Sequence, residues 1–454
     1  MKKCGFLLML CFHLTYHCAV AQFQDSIADK LQRYLAIKKK EIGFSGMVTI
    51  CRQGKIVCAE MVGQCSADTY FNDSSLFKVA SVTKSFTAML VMLACAEERI
   101  KLSDSLAIFF PRLDNHEWRS ITIDQLLSHR AGIAHNQGVA GFVPGLSMGL
   151  NPEQALAAIF NSKLLFSPGT QAAYSSPGYY LLATILEQVY HKRYADILAE
   201  KITGPLKMNH TGVYRTGMDL QNMCAGYHQV KDSMIPAPGR DFSLMKGSGD
   251  LFSSAADLVS WTNSFSGDFW SDKIRASLFA PHSDIDGHSY GYGWYIRREE
   301  ANAKKAYYHG GGTFGSSSLL VIYPAYQLTI VILSNVSPLP VNVFWADVER
   351  ILFDTGDAAV SPLAVRQLSP QQLAILPGAY SAGAGQPVLQ IILNEGRLYA
   401  KLGTRGAFEI FAATDVEFYG RKIPVKLLFS VNGTGSITGV EAWYNGQCTR
   451  FSRQ

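Results

Sequence analysis

The sequence predicts an α+β protein that carries a small all-β domain at its end, and three observations predict it. Strand-like segments stand early, at 44–59, and late, at 290–333, with helical patterns between them. One of those helices follows Ser81 and has almost no polar position from Thr87 to Ala94, so it is expected to be buried nearly all round. Beyond an aperiodic stretch at 355–369, rich in Gly, Ala, Ser and Pro, only short strands between turns remain.

In chain order, Lys2-Lys3, an apolar run from Gly5 to Leu14, and Ala19-Val20-Ala21 before Gln22 have the layout of a signal peptide. They predict removal of residues 1–21 and export, to a periplasm or the medium. A lipoprotein site at Cys18 is the minor option, because Thr15-Tyr16-His17 lacks the small and aliphatic residues such a site needs. A helix from Ser26 to Lys39 comes next, then strands Phe44–Ile50 and Lys55–Ala59 about Arg52-Gln53-Gly54. After the Ser81 helix, Ile123 to Gly132 reads as a helix stopped by glycine, with His129 as a packed structural histidine.

Residues 134–165 are helix and loop without strand pattern, which suggests a mostly α lobe. Phe166 to Thr170 is a turn that delivers Tyr174-Ser175-Ser176 before a helix from Tyr179 to Tyr190. Ser254 to Asp257 looks like a helix cap. Tyr290–Ile296, Ser317–Tyr323 and Gln327–Leu333 are strands, the last two joined through Pro324-Ala325-Tyr326, and a helix runs from Val341 to Phe353. The expected division is a large mixed domain at 22–354, a linker at 355–369 and a barrel- or sandwich-like β domain at 370–454. Its strands are read at Val388–Leu393, Arg397–Leu402, Val425–Val431 and Gly439–Tyr444.

Composition narrows the function classes. With 48% hydrophobic and 17% charged residues the chain can bury large cores, and its net charge of +5 comes without a basic patch, so nucleic acid is not an expected partner. No run is apolar for eighteen residues, so no transmembrane span is expected in the mature chain. Of nine cysteines, Cys4, Cys11 and Cys18 leave with the signal. If Gln53-Gly54 is a two-residue turn, Cys51 faces Ile56 and Cys58 faces Thr49, which makes that pair diagonal. An exported chain can pair some of the remaining six, Cys51, Cys58, Cys65, Cys95, Cys224 and Cys448, but small buried hydrophobes are the expectation for most. Neither C-x-x-C nor H-E-x-x-H occurs, so neither metal nor cofactor is expected.

Candidate chemistry begins at Ser81 and Lys84. A serine hydroxyl needs a base within reach, and a lysine three residues on in a helix can supply it once burial has favoured the neutral amine. Ser75 and Lys78 repeat the spacing, but they follow the turn-like Asn72-Asp73-Ser74 and no buried helix carries that lysine. Taken alone, Ser81 and Lys84 read equally as a helix cap and a solvated first-turn cation.

The weight comes from order. S-x-x-K at Ser81–Lys84, then Tyr174-Ser175-Ser176, then His309-Gly310-Gly311 resemble the three active-site motifs of the serine β-lactamase and penicillin-binding-protein family. The similar branch holds class C β-lactamases, D-alanyl-D-alanine carboxypeptidases, D-aminopeptidases and related esterases. Flanks at 77–86, 126–133, 168–169, 291–294 and 311–318 are similar too, so the likeness covers about residues 22–353. The last domain is similar to the lipocalin-like tails some members carry.

That resemblance implies a five-stranded antiparallel sheet flanked by helices, an all-helical lobe, and an active site between them. It implies Ser81 as the nucleophile that becomes acylated, Lys84 as general base and Tyr174 as the phenol that relays protons. The implied oxyanion hole is the backbone N–H of Ser81 and of Gly312, with Ser176, His309, Gly310 and Gly311 binding a small-molecule or peptide substrate.

Two departures bear on the substrate. Ser176 stands where the family usually has asparagine, and a hydroxyl reaches less far than an amide. Gly310 replaces a hydroxyl residue, and His309 offers a cation only when protonated. Both weaken the case for β-lactamase or carboxypeptidase specificity more than they weaken the nucleophile, so the expectation is an exported serine hydrolase that forms an acyl-enzyme on an ester, an amide or a D-amino-acid peptide, with an ester or neutral amide gaining ground. The rival reading is a non-catalytic binder or sensor that keeps the fold. His309 to Gly312 also spells the oxyanion motif of α/β-hydrolase lipases, but no G-x-S-x-G elbow follows it.

Overall fold

A computed structural model describes residues 26–142, 149–230, 233–300, 303–353, 365–421, 423, 425–444 and 447–454. The expected signal peptide, part of the α lobe (143–148) and most of the expected linker lie outside the described residues. Among the described residues two compact units emerge: residues 26–28 with Gly43–Pro338, and Asp29–Ile42 with the described part of 339–454. These units do not follow the expected boundaries. Residues 29–42 of the first helix and the helix Val341–Phe353 group with the β domain, and the two helices join through Tyr34, which donates to Asp347 at 2.9 Å and meets the Phe344 ring edge-on at 5.7 Å.

The first unit is built on an antiparallel sheet. Its strands run across in the order Lys55–Val62, Gly46–Arg52, Leu328–Ser334, Ser316–Tyr323, Ala306–Thr313, Tyr295–Arg297, His288–Tyr290 and Ser283–Ile285. The middle strands Ser316–Tyr323 and Leu328–Ser334 are buried at every position, as near-continuous apolar runs covered on both faces should be. Gln53 and Gly54 turn the first hairpin with φ of 51° and 77°, the left-handed pair that suits strand twist. A bulge between Ile50 and Cys51 shifts the register there. Cys51 therefore faces Ile56 as expected, but Cys58 faces Ile50 instead of Thr49.

The sheet has eight strands where five were implied, and the difference lies at one edge. The segment read as one strand, Tyr290–Ile296, breaks into two because Gly293, at φ 74°, bends hard against the Ser81 helix. A Cβ there would stand 2.6 Å from Lys84 O. Conversely, the His309 segment is a full strand, Ala306–Thr313, although its three glycines hide the β pattern.

Helix Thr83–Ala96 is buried along nearly its whole length and packs on helix Ser176–Tyr190. Helix Ile123–Leu127 starts with a capping box between Thr122 and Gln125, and Ser175 caps the Ser176 helix by accepting from Gly178 N–H. Cys65 and Cys224 form a disulfide across 159 residues of sequence, a pairing the cysteine pattern did not single out. Closing so long a loop contributes about 2–5 kcal/mol, so Cys65→Ser with Cys224→Ser is expected to lower the guanidinium midpoint of the first unit clearly. An unchanged midpoint under non-reducing conditions would show that the bond does not stabilise the fold.

In the second unit, eight antiparallel strands from Gly378–Ser381 to Gln447–Arg453 close into a barrel. Its inward positions, among them Ile391, Ala400, Ile410, Phe418, Phe429 and Val440, form a separate core. Among the described residues, no helix is long and apolar enough to cross a membrane.

Candidate active site

Ser81 sits in a single 3-10 turn, Ala80–Val82, that leads straight into the buried helix. Ala80 before it holds φ at 47°, a conformation that costs a non-glycine residue about 1–2 kcal/mol and persists only where the surroundings impose it. Several bonds do so. Val79 N–H donates to Leu251 O at 2.9 Å, Ser318 Oγ to Val79 O at 2.7 Å, Ser316 Oγ to Lys78 O at 2.6 Å, and Thr83 Oγ1 to Ala80 O at 2.6 Å. The glycine strand presses on the same turn. A Cβ at Gly311 would lie 2.3 Å from Val79 O and 3.1 Å from Ser81 N, whereas one at Gly312 would meet nothing within 4 Å. Gly311 thus permits the close approach, and Gly312 borders open space beside Ser81.

One helical turn on, the Lys84 amine lies 3.1 Å from Ser81 Oγ, 3.1 Å from Ser176 Oγ and 2.7 Å from Ser248 O. Its side chain is fully buried, and burial drives the amine well below the ordinary lysine range while the Asp250 carboxyl pulls weakly the other way. Asp250 is itself buried, which pushes its carboxyl up to about 7, and one of its oxygens accepts from Gly247 N–H at 3.0 Å. The Lys84 Nζ stands 4.8 Å from the centre of the Tyr174 ring, and the nearby Ser81 side chain pulls the Tyr174 phenol down against its burial. Burial raises that phenol well above its usual value, so it keeps its proton at neutral pH.

The segment Tyr174-Ser175-Ser176 is held by two histidines. His129 Nδ1 accepts the Ser175 N–H at 3.1 Å and His135 Nδ1 accepts the Ser176 N–H at 3.2 Å, which satisfies donors that the start of a helix leaves open. Burial lowers both rings, His135 to about 4, so they act as neutral acceptors.

His309 points into the same cluster, with Nδ1 donating to Gly310 O at 2.7 Å and Nε2 3.4 Å from the Tyr290 hydroxyl. Burial, helped by Lys84, pushes it down to about 3. It is therefore neutral at physiological pH, and the cation that its place in the sequence suggested is absent. Tyr295 completes an aromatic wall, 5.5 Å from the His309 ring and stacked on Tyr308 at 5.4 Å.

The structure brings together Ser81, Lys84, Tyr174, Ser176, His309, Gly310 and Gly311, with Gly312 at the open side. Ser176 reaches Lys84 despite its short side chain, so its replacement of asparagine keeps that contact. Sequence reasoning missed His135, Ser248, Asp250 and Tyr295. The start of the Ser176 helix called for acceptors, but His135 stands 41 residues away and nothing local marks it.

Residues 27–350 match the family model described as Beta-lactamase. Penicillin-binding protein 4* of Bacillus subtilis (strain 168) is 25% identical over 416 residues, 86% of this chain and 90% of its own length. The octameric penicillin-binding protein homologue from Pyrococcus abyssi shares the fold with a TM-score of 0.66 at 20% identity, over 93% of this chain and 99% of that one. The D-stereospecific amidohydrolase from Streptomyces sp. does so with a TM-score of 0.61 at 22% identity, over 73% and 99%. A family match across well over half the chain joins a fold built around a serine with a buried lysine beside it. The chain therefore belongs to the Beta-lactamase family and is a serine hydrolase of that family.

Proposed function

We propose that the protein is an exported hydrolase that forms an acyl-enzyme on Ser81 and prefers neutral esters or amides to substrates with a free carboxylate. The observation that carries the reading is the buried Lys84 amine, 3.1 Å from Ser81 Oγ. Ser248 O can only accept, and Ser176 Oγ can accept as well, so a neutral amine spends two N–H bonds there and keeps its lone pair for the Ser81 proton. Ser81 Oγ then bonds to the substrate carbonyl carbon, and the Ser81 and Gly312 N–H groups stabilise the oxyanion. As the tetrahedral intermediate collapses and the bond to the leaving group breaks, Tyr174 gives its proton to that group and takes back the one that Lys84 removed from Ser81. Water later loses a proton to the same pair and attacks the acyl carbon, the bond to Ser81 Oγ breaks, and that proton returns to Ser81.

Neutral His309 and His135 favour an uncharged substrate, since a carboxylate placed there would lose its hydration without gaining a counter-charge. An irreversible serine-directed probe should label one serine, absent in Ser81→Ala, and a simple acyl ester or neutral amide should be turned over faster than a D-alanyl peptide with a free carboxylate or a chromogenic β-lactam. A folded wild type that takes no label favours the binder reading instead. Export is supported by the Cys65–Cys224 bond, which persists in oxidising compartments. An unprocessed N-terminus on the protein recovered from the producing cell would refute it.

The proton logic has a sign. The base must be neutral, so kcat/KM should fall on acidification as Lys84 gains a proton, and the limb should not follow the ordinary histidine value. His309 is already neutral down to about 3, so His309→Gln should leave the position of that limb unmoved. A limb that moves with His309→Gln would transfer the base role away from Lys84.

A further inference from the structure

The second unit contains a cavity with no task in the hydrolytic chemistry. It measures about 450 Å³ and lies wholly within residues 339–454, in the size range of small-molecule sites, roughly 300–1,000 Å³. Strand alternation explains where it is. Leu402, Phe408, Leu427, Ala442 and Phe451 line it at one end of the barrel, and Leu427 and Phe451 join it to the core that holds Ile391, Ile410 and Val440. Leu368 and Leu373 pack on that same core.

The hollow arises from the choice of residues in one row. Leu427 pairs with Ala442 and Ala442 with Thr449, so two small side chains stand side by side on neighbouring strands where larger ones would fill the barrel. The lining is aliphatic and aromatic, with a few polar groups added: Arg405, Asn342 and Thr449. Arg405 is exposed, its backbone N–H donates to Leu402 O at 3.1 Å, and among the described residues no carboxylate pairs with its guanidinium.

An unfilled apolar hollow forfeits dispersion contacts that an apolar guest restores, and an unpaired guanidinium at its rim selects an anionic end. We propose that the barrel binds a single-chain aliphatic carboxylate, its chain among Leu402, Leu427, Ala442 and Phe451 and its carboxylate at Arg405. The site is separate from the Ser81 chemistry and would stand whether or not the proposed substrate preference does.

Calorimetric titration of the full chain with dodecanoate, and with dodecanol as the uncharged counterpart, tests this. Dodecanoate is expected to bind with one site per chain and dodecanol at least about tenfold more weakly. Ala442→Phe, which fills the hollow, should abolish binding, and Arg405→Gln should bring dodecanoate down to the dodecanol level. Both variants should keep a cooperative melting transition of the barrel, which reports that the second unit is folded. No binding of dodecanoate up to about 1 mM, or equal binding by wild type and Ala442→Phe, would overturn the proposal. Equal binding by wild type and Arg405→Gln would remove the carboxylate from it.

Discussion

Lys84→Met is expected to lower kcat/KM for a simple acyl ester by roughly 1,000-fold while the protein stays folded. Methionine nearly conserves the volume of the buried side chain and removes the nitrogen, so the change isolates proton acceptance from packing. The loss corresponds to about 4 kcal/mol of transition-state stabilisation, in the range that a positioned base and its activated nucleophile supply together. Part of the effect is structural, because Ser248 O and Ser176 Oγ lose a donor lying 2.7 and 3.1 Å away. The melting temperature separates the two contributions, and the serine-directed probe should label the variant far more slowly than wild type. Turnover within tenfold of wild type would mean that another group takes the Ser81 proton.

The second large effect is expected at Gly311. A methyl there would stand 2.3 Å from Val79 O and 2.4 Å from Ser318 Oγ, and neither can yield without releasing the turn that presents Ser81. Overpacking of this kind costs about 1–3 kcal/mol, and a nucleophile displaced by an ångström loses about 100-fold in rate. Gly311→Ala should therefore lose both stability and activity. Gly312→Ala is the internal control, since its methyl meets nothing within 4 Å and should leave the melting temperature in place. Equal melting temperatures for the two variants would show that the strand does not hold the turn in the way proposed. A side chain larger than alanine at 312 acts differently, by occupying the open space beside Ser81.

Much of this site was legible because its parts are local. Ser81 and Lys84 meet through a helical turn, and the burial that neutralises the amine was visible in the apolar run after it. Tyr174-Ser175-Ser176 announced itself as a turn feeding a helix, and the capping bond from Gly178 N–H to Ser175 Oγ is the sort of contact a short motif encodes. The barrel strands Arg397–Leu402 and Val425–Val431 were read at their observed ends, because alternation between clear turns marks a strand on its own. The unreadable parts depend on distant neighbours. Tyr290–Ile296 has strand composition, yet packing against Lys84 bends it at Gly293, while Ala306–Thr313 has three glycines and becomes a strand because Ser316–Tyr323 pairs with it. The neutrality of His309 was beyond the sequence for the same reason, since desolvation belongs to a place and not to a residue type.

From its order of residues alone, this chain determined the buried helix that follows Ser81 and carries Lys84, the turn that offers Tyr174, and a run of short strands at its end. Periodicity and spacing act over a few residues and need no partner. Folding in three dimensions decided how wide the sheet is, which cysteines meet, which side chains take the protons of the Ser176 helix, and that burial leaves His309 neutral beside a lysine stripped of water. Those features depend on surfaces far apart in the chain coming into contact, and exclusion of water by such contact is what sets both charge and conformation there.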